Sequence, residues 1–326
     1  MGKARNPRRG SMQFWPRKRS SHSLVRVRSW AKVSKAKPLG FIAHKAGMTH
    51  IMALDNGSKS MTKGEKIALP VTIFDCPPMF ALGAVFYNKD SKGQLKKSNT
   101  LLTSEIPKDI KKNIERLITL SKKKGSVSEV TLDSFKELKL LVVSVPSLTS
   151  IGTKKPKILE IAIGGSKEEQ LEYIKTNVGK EIKLDDVVNE ISQVDVHSVT
   201  KGKGFQGVVK KFGVSLLSHK SEKSRRKIGN LGAWTPKRIH FSIAQCGKMG
   251  FHLRTEYNKL VLKIGTNPED VNSKGGINKF GFVKNNYLLM KGSVAGPKKG
   301  TVLITDAIRP SKRIGRDSYE VTYISK

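Results

Sequence analysis

Towards both ends of the chain, apolar and polar residues alternate with a period close to two. Short runs rich in Val and Ile, separated by Gly, Asn and Lys turns, read as strands at 38–44, 48–54, 67–74, 81–87, 193–199, 205–210, 260–264, 286–290, 301–304 and 320–324. The centre mixes periods. Residues 104–124 put Ile110, Ile114, Leu117 and Ile118 on one helical face, with Pro107 near the start and Lys122, Lys123 and Lys124 near the end, where cations suit the helix dipole. Strands follow at 138–145 and 158–163. Ser166 with Glu169 forms a capping box that opens a short helix, and Gly179 closes it. No period of 20 to 50 residues repeats, which sets solenoids and propellers aside. The pattern predicts a mainly β fold: a small closed β-barrel, an inserted α+β lobe and long basic extensions.

Charge alters this picture by implying a partner. Among 326 residues there are 62 Lys plus Arg against 26 Asp plus Glu, a formal charge of +36. Such a chain repels itself unless a polyanion lies close by. At 37% hydrophobic residues it can still bury a core, so the charge is added to a folded body. Residues 1–37 carry twelve cations and no acid, interleaved with prolines, serines, Phe14, Trp15 and Trp30. They read as a basic extension that cannot bury itself and orders against phosphates. Residues 90–190 hold 15 acids beside 19 cations and read as the inserted lobe, turned to solvent more than to nucleic acid. Residues 38–89 and 191–326 are then the barrel, with a long basic loop at about 211–258.

Several function classes lose ground here. There is no apolar run of about 18 residues, no signal-peptide core, and Asn6 breaks a myristoylation pattern, so no membrane is expected. The prolines and the lack of an amphipathic stripe in residues 1–37 argue against a mitochondrial targeting peptide. Cys76 and Cys246 have no second Cys or His at ligand spacing and read as small core residues in a reducing, cytoplasmic setting. His219, His240 and His252 match no metal-ligand spacing and read as polar surface or nucleic-acid contacts. No metal or cofactor is implied.

The chemistry concentrates in a few segments. Residues 200–209 read T-K-G-K-G-F-Q-G-V-V, followed by a basic stretch and by G-N-L-G-A-W-T-P-K-R at 229–238, with Glu222 the one acid from 202 to 238. Gly202, Gly204 and Gly207 match G-x-G-x-x-G, and Val209 extends the match to a kinase phosphate loop. A dinucleotide fold needs a helix to open there, yet Val208, Val209 and Phe212 are β-formers and Gly213 follows. A kinase needs catalytic Asp and D-F-G elements that are missing. The segment reads instead as a strand–turn–strand hairpin whose glycine amides, with Lys201, Lys203 and Lys210, face a phosphate backbone. Trp234, between Gly232, Ala233, Thr235 and Pro236, has few apolar neighbours and reads as a loop tip offering a face for base stacking. Residues 245–258 and 291–300 repeat the mixture of glycines and cations. The candidate RNA-binding residues are Arg5, Arg8, Arg9, Trp15, Arg17, Lys18, Arg19, Lys201, Lys203, Lys210, His219, Arg225, Arg226, Lys227, Trp234, Lys237, Arg238, Lys248, His252, Arg254, Lys298 and Lys299.

Residues 200–209, 228–238, 250–258 and 291–299, in this order, resemble the signatures of the universal third protein family of the large ribosomal subunit. Residues 10–17 (G-S-M-Q-F-W-P-R) and 40–49 (G-F-I-A-H-K-A-G-M-T) resemble its archaeal and eukaryotic branch. The resemblance implies a translation-protein-type barrel bound to large-subunit ribosomal RNA beside neighbouring ribosomal proteins, acting in subunit assembly without chemistry of its own. It also implies that the loop around Trp234 approaches the peptidyl-transferase region, with the N-terminal arm beside it. Two positions depart from the pattern. Lys248 stands where bacterial members often carry Gln, so the Gln modification of that branch does not carry over. Thr235 stands where eukaryotic members tend to have His. The alternative reading, an architectural DNA-binding protein, asks for a recognition helix or an apolar wedge, and no long basic helix is present.

Overall fold

A computed structural model describes residues 7–103, 106, 107, 111, 112, 114 and 135–326. The chain divides into two compact units: Met1–His22 with Val199–Arg254, and Ser23–Ser198 with Thr255–Lys326. In chain order the strands are β1 (Gly40–Asp55), β2 (Lys66–Asp75), β3 (Met79–Lys89), β4 (Leu95–Leu102), β5 (Glu137–Ser144), β6 (Ile158–Ala162), β7 (Glu181–Ile182) and β8 (Gln193–Val199). Then come β9 (Phe205–Gln206), β10 (Gly247–Lys248), β11 (Leu253–Gly265), β12 (Tyr287–Lys291), β13 (Thr301–Asp306) and β14 (Tyr319–Ile324). Two α-helices are described, α1 (Lys167–Asn177) and α2 (Val208–Phe212), besides short 3-10 turns.

The larger unit is mainly β. Its seven-stranded sheet runs β13-β8-β11-β12-β2-β1-β14, and β13 also pairs with β1. β1 makes this possible. A register shift between Lys45 and Gly47 bends it, so that Gly40–His44 pair with β13 and Ile51–Asp55 with β14, while β2 lies along its other edge. The strands expected at 38–44 and 48–54 are therefore one strand, because a bulge interrupts the alternation without ending the ladder. Gly47 sits at the bend, where an added Cβ would lie 2.8 Å from Ile277. In β2, the ladder with β12 runs from Asp75 to Val71 and stops before Pro70, which has no N–H to offer. Gly292 instead donates its N–H to the Pro70 carbonyl.

The second sheet has the order β4-β3-β5-β6, with β7 also paired to β3. Residues 81–87, read as a strand of the barrel, thus pair with β4 and β5 in the second sheet and not within the first. The β3 residues from Met79 to Tyr87 are all buried, so both faces are covered and no alternation marks which sheet the strand joins. At Gly83 the β4 backbone comes so close that a Cβ would lie 2.1 Å from the Leu101 carbonyl oxygen. α1 begins as expected, with Ser166 and Glu169 bonding reciprocally, and Gly179 beyond its end has φ +88°. Of the face expected from residues 104–124, Ile114 is buried, while Ile110, Leu117 and Ile118 lie outside the described residues. One apolar cluster draws on both sheets, from Phe41, Phe74 and Val302 to Leu140, Ile161 and Ile174. A second gathers Ile51, Val71, Leu260, Phe280 and Tyr287.

Part of the segment read as a basic extension, residues 1–37, packs against the larger unit's own core. Val25 is buried, and Leu24, Val27 and Trp30 pack against the first cluster. The Trp30 ring covers Gly40, where a Cβ would meet it at 3.1 Å. Lys37 is tied down by Asp306 at 2.9 Å and by the Val187 carbonyl. Small apolar residues spaced among cations conceal this segment's core side.

Candidate nucleic-acid interface

The smaller unit is a ribbon with a clasp. Lys203 N–H donates to Met249 O, Met249 N–H to Gly204 O and Thr200 N–H to His252 O, so residues 200–206 run beside 247–252, with β9 against β10. Gly250, at φ +80°, permits the approach, since a Cβ there would lie 2.1 Å from the Lys201 carbonyl oxygen. The hairpin expected within 200–210 is thus corrected in two ways. The partner strand is Gly247–Lys248, far along the chain, and Val208–Phe212 form a one-turn helix between Gly207 and the left-handed Gly213. Five residues between two glycines are too few for periodicity to show. A helix does follow the G-x-G-x-x-G run, but a single turn whose N-cap has no side chain to bond it.

Onto this ribbon the N-terminal arm is held by aromatic and guanidinium groups. Trp15 stacks on Phe212 with centroids 5.5 Å apart and meets the edge of Phe241 at 6.3 Å. Arg17 lies 4.4 Å over Phe212 and donates to the Lys211 carbonyl at 2.9 Å. Arg8 reaches the Ser242 carbonyl at 2.7 Å, Arg19 lies over Phe251, and Arg254 lies over Phe14. Burial lowers the pKa of Arg17, and burial together with the Arg17 charge lowers that of Arg254. At Gly10 a Cβ would lie 2.7 Å from Phe212, so the arm seats backbone directly on that ring.

His252 needs a correction. It is buried instead of facing a partner: Nδ1 meets the Lys18 carbonyl at 2.9 Å and Nε2 accepts the Gly250 N–H at 3.2 Å. The imidazole pins arm to ribbon. Trp15, Arg17 and Arg254 are half-buried in the same clasp. Cys246 is exposed, against the expected core position, whereas Cys76 is buried. His219 and His240 are exposed.

The remaining candidates point outward. Arg8, Arg9, Lys18, Arg19, Lys201, Lys203, Lys210, Arg225, Arg226, Lys227, Lys237, Arg238 and Lys248 are all exposed. Trp234 is 83% exposed at a turn closed by Lys237 N–H on its carbonyl, with the Lys237 ammonium 6.0 Å from the ring. Phe205 and Phe241, 70% and 69% exposed, were not read from the sequence, although aromatics in an acid-free stretch are the signal that marks them. Arg5 lies outside the described residues. Lys298 and Lys299 belong to the larger unit, where Lys298 donates to the Asn278 carbonyl at 2.6 Å.

Among the described residues nothing accounts for two of this unit's glycines. Gly202 and Gly207 lie outside the left-handed region, and a Cβ on either would meet nothing within 4 Å. Along its sequence the unit has seven cations in its N-terminal piece and thirteen in its second, against the single acid Glu222.

The sequence profile described as Ribosomal protein L3 matches residues 1–326. The chain belongs to the ribosomal protein L3 family. Its relatives include proteins named large ribosomal subunit protein uL3. That of Methanocaldococcus jannaschii is 39% identical over 98% of this chain and 96% of its own length. That of Archaeoglobus fulgidus is 38% identical over 99% and 98%, and that of Nanoarchaeum equitans 42% over 94% and 92%. Members of the L3 family are structural constituents of the large ribosomal subunit, so this chain is a ribosomal protein and not an enzyme. The clasp and ribbon belong to a component of the translation machinery. Among the described residues no helix is long and apolar enough to cross a membrane.

Proposed function

We propose that this L3-family protein binds large-subunit ribosomal RNA, supports subunit assembly, and organises RNA near the peptidyl-transferase region through the loop that carries Trp234. It works on ribosomes in the cytoplasm, beside neighbouring large-subunit proteins. The observation that carries this reading is the smaller unit's surface, where Trp234, Phe205 and Phe241 stand exposed among cations that meet one carboxylate. Exposed rings give stacking platforms, and unneutralised cations displace counterions from phosphates. Gly202 and Gly207 leave backbone bare for close approach. On this reading the ring of pairings through β13 and β1 is a small closed translation-protein-type barrel, residues 90–190 are an inserted lobe, and the basic extension with the loop at about 211–258 carries the RNA contacts.

Sedimentation of the full chain with deproteinised large-subunit ribosomal RNA tests this as salt rises. With six to ten phosphate contacts, binding falls by about 10³ to 10⁵ between 50 and 200 mM salt. Trp234→Ala leaves the melting of the free protein unchanged, because the ring is exposed, and disturbs RNA reactivity near the peptidyl-transferase region of assembled subunits. Equal retention on duplex DNA in competition, or a salt-insensitive association, overturns the proposal.

A further inference from the structure

A second acid-free stretch lies in the larger unit. Residues 271–305 contain Lys274, Lys279, Lys284, Lys291, Lys298 and Lys299 and no Asp or Glu. Lys291 is engaged by Asp317 and Tyr319, and Lys298 by the Asn278 carbonyl. Lys274, Lys279 and Lys284 are exposed and join none of the ion pairs found among the described residues.

The loop that presents these three lysines is already fixed. Asn272 clamps its base, donating to the Val283 carbonyl and accepting the Val283 N–H, both at 2.9 Å. Ser273 Oγ donates to the Gly276 carbonyl, and Ile277 and Gly281 exchange backbone bonds at 2.8 and 3.0 Å. Phe280 and Val283 are buried in the second cluster beneath, and Ser150 Oγ donates to the Phe282 carbonyl at 2.6 Å. A loop held this firmly loses little conformational freedom when something docks on it.

Its glycines separate into two kinds. Gly276 has φ +73°, and a Cβ there would lie 3.2 Å from the Gly281 carbonyl oxygen, so the fold itself requires glycine. Gly275 is outside the left-handed region, is exposed, and would place a Cβ in open space. Nothing among the described residues calls for a bare backbone at that point. The same signature marks Gly202 and Gly207 in the other unit. Half-exposed Phe282 adds an apolar face next to the lysines.

We infer that the loop 272–284 is a second RNA-docking surface, with Gly275 the point of closest approach to a phosphate backbone and Lys274, Lys279 and Lys284 neutralising the phosphates around it. This rests on the ribosomal RNA reading above and adds to it a contact built on the larger unit. Exposed lysines that join no ion pair among the described residues, set around a bare and rigid backbone, fit an RNA strand, and of the three only Lys284 acts on a described carboxylate of the chain, the buried Asp75.

The test uses the full chain carrying Cys246→Ser, with Gly275→Cys bearing a tethered iron–EDTA probe, bound to deproteinised large-subunit ribosomal RNA. Strand scission from position 275 is expected. A parallel chain carries the probe at Trp234→Cys. Scission from 234 with none from 275 overturns the docking loop while leaving the RNA reading in place; failure of the full chain to sediment with RNA overturns both. In a second measurement, the triple variant Lys274→Gln, Lys279→Gln, Lys284→Gln melts as the native chain does and flattens the slope of log K against log salt by about 2 to 3. An unchanged slope shows that the loop meets no RNA.

Discussion

The two units hold themselves together by different means. The larger one packs whole side chains out of water: Phe41, Phe74, Leu140 and Tyr287 are essentially inaccessible within sheets whose strands satisfy each other's backbones. The smaller one buries few residues, among them Val208, Phe212, Ala244 and His252, and relies on ring stacking, guanidinium groups over rings and backbone bonds from arm to ribbon. A unit built that way keeps its cations and several rings outside. Apolar burial is concentrated in one part of the chain, and exposed cations and rings in the other.

The largest expected effects break this contrast directly. Phe74→Ala removes a fully buried ring from the first cluster and should cost about 3–5 kcal/mol of global stability. Phe212→Ala removes the ring that Trp15, Arg17 and Gly10 all touch, and with it about 1–2 kcal/mol of stacking and cation–π contact. Its effect should be local: denaturant melts shift little, while tryptic release of the first 22 residues quickens. If Phe212→Ala lowers the global midpoint as much as Phe74→Ala does, the units are not energetically separate.

A pH test sharpens the same contrast, because two buried titratable groups lie at paired positions on neighbouring strands of the larger unit. His44 on β1 is opposite Asp75 on β2. Burial, helped by the Lys157 charge, lowers the His44 pKa from 6.5 to about 4. Burial, opposed by bonds from Asn285, raises that of Asp75 from 3.8 to about 6. The signs differ. His44 is protonated only in the unfolded chain between pH 6.5 and 4, so its contribution is favourable above 6.5 and is lost as the pH falls to 4. Asp75 is protonated only in the folded chain between pH 3.8 and 6, so its contribution is favourable below 3.8 and is lost as the pH rises to 6. Each window corresponds to about 3 kcal/mol, and in the native chain the two slopes oppose one another. Urea melts at pH 4, 5, 6 and 7 should show His44→Leu gaining on the native protein towards pH 4 and Asp75→Asn gaining towards pH 6. Release of the arm should not follow either trend. Parallel curves for native and variant proteins would remove the buried charges from the account.

What the sequence made legible follows the same division. Strand β8 lies where alternation put it, and the Ser166–Glu169 box opens α1, because both signals are local. The assignment of β3 to the second sheet was hidden by burial on both faces, and α2 by its length. His252 read as a polar surface or nucleic-acid contact because its partners, Lys18 and Gly250, include one 234 residues away. Trp234 could be read as exposed from its neighbours alone. The loop at 272–284 was overlooked because its signal is an absence of acid over 35 residues, which no motif records.

The smallest effect separates fold from function most cleanly. Gly207 is the N-cap of α2 at φ −68° and ψ 165°, a conformation any residue adopts, with open space where a Cβ would go. A serine there would bond the N–H of Val209 or Lys210, so Gly207→Ser should raise stability by a few tenths of a kcal/mol, roughly the margin of Ser over Gly at N-caps. Gly213, six residues on, is the opposite case. It closes the same helix at φ +69°, and Gly213→Ser should lower stability by about 1 kcal/mol through the left-handed conformation alone. The fold therefore favours a side chain at 207 and glycine at 213. If RNA backbone lies against residue 207, Gly207→Ser weakens RNA binding while stabilising the protein, a pairing of signs that damage to the fold cannot produce. Gly213→Ser should destabilise without a matching loss once binding is measured well below the melting temperature. Tight RNA binding by Gly207→Ser would mean that the open glycines of the ribbon leave room for nothing.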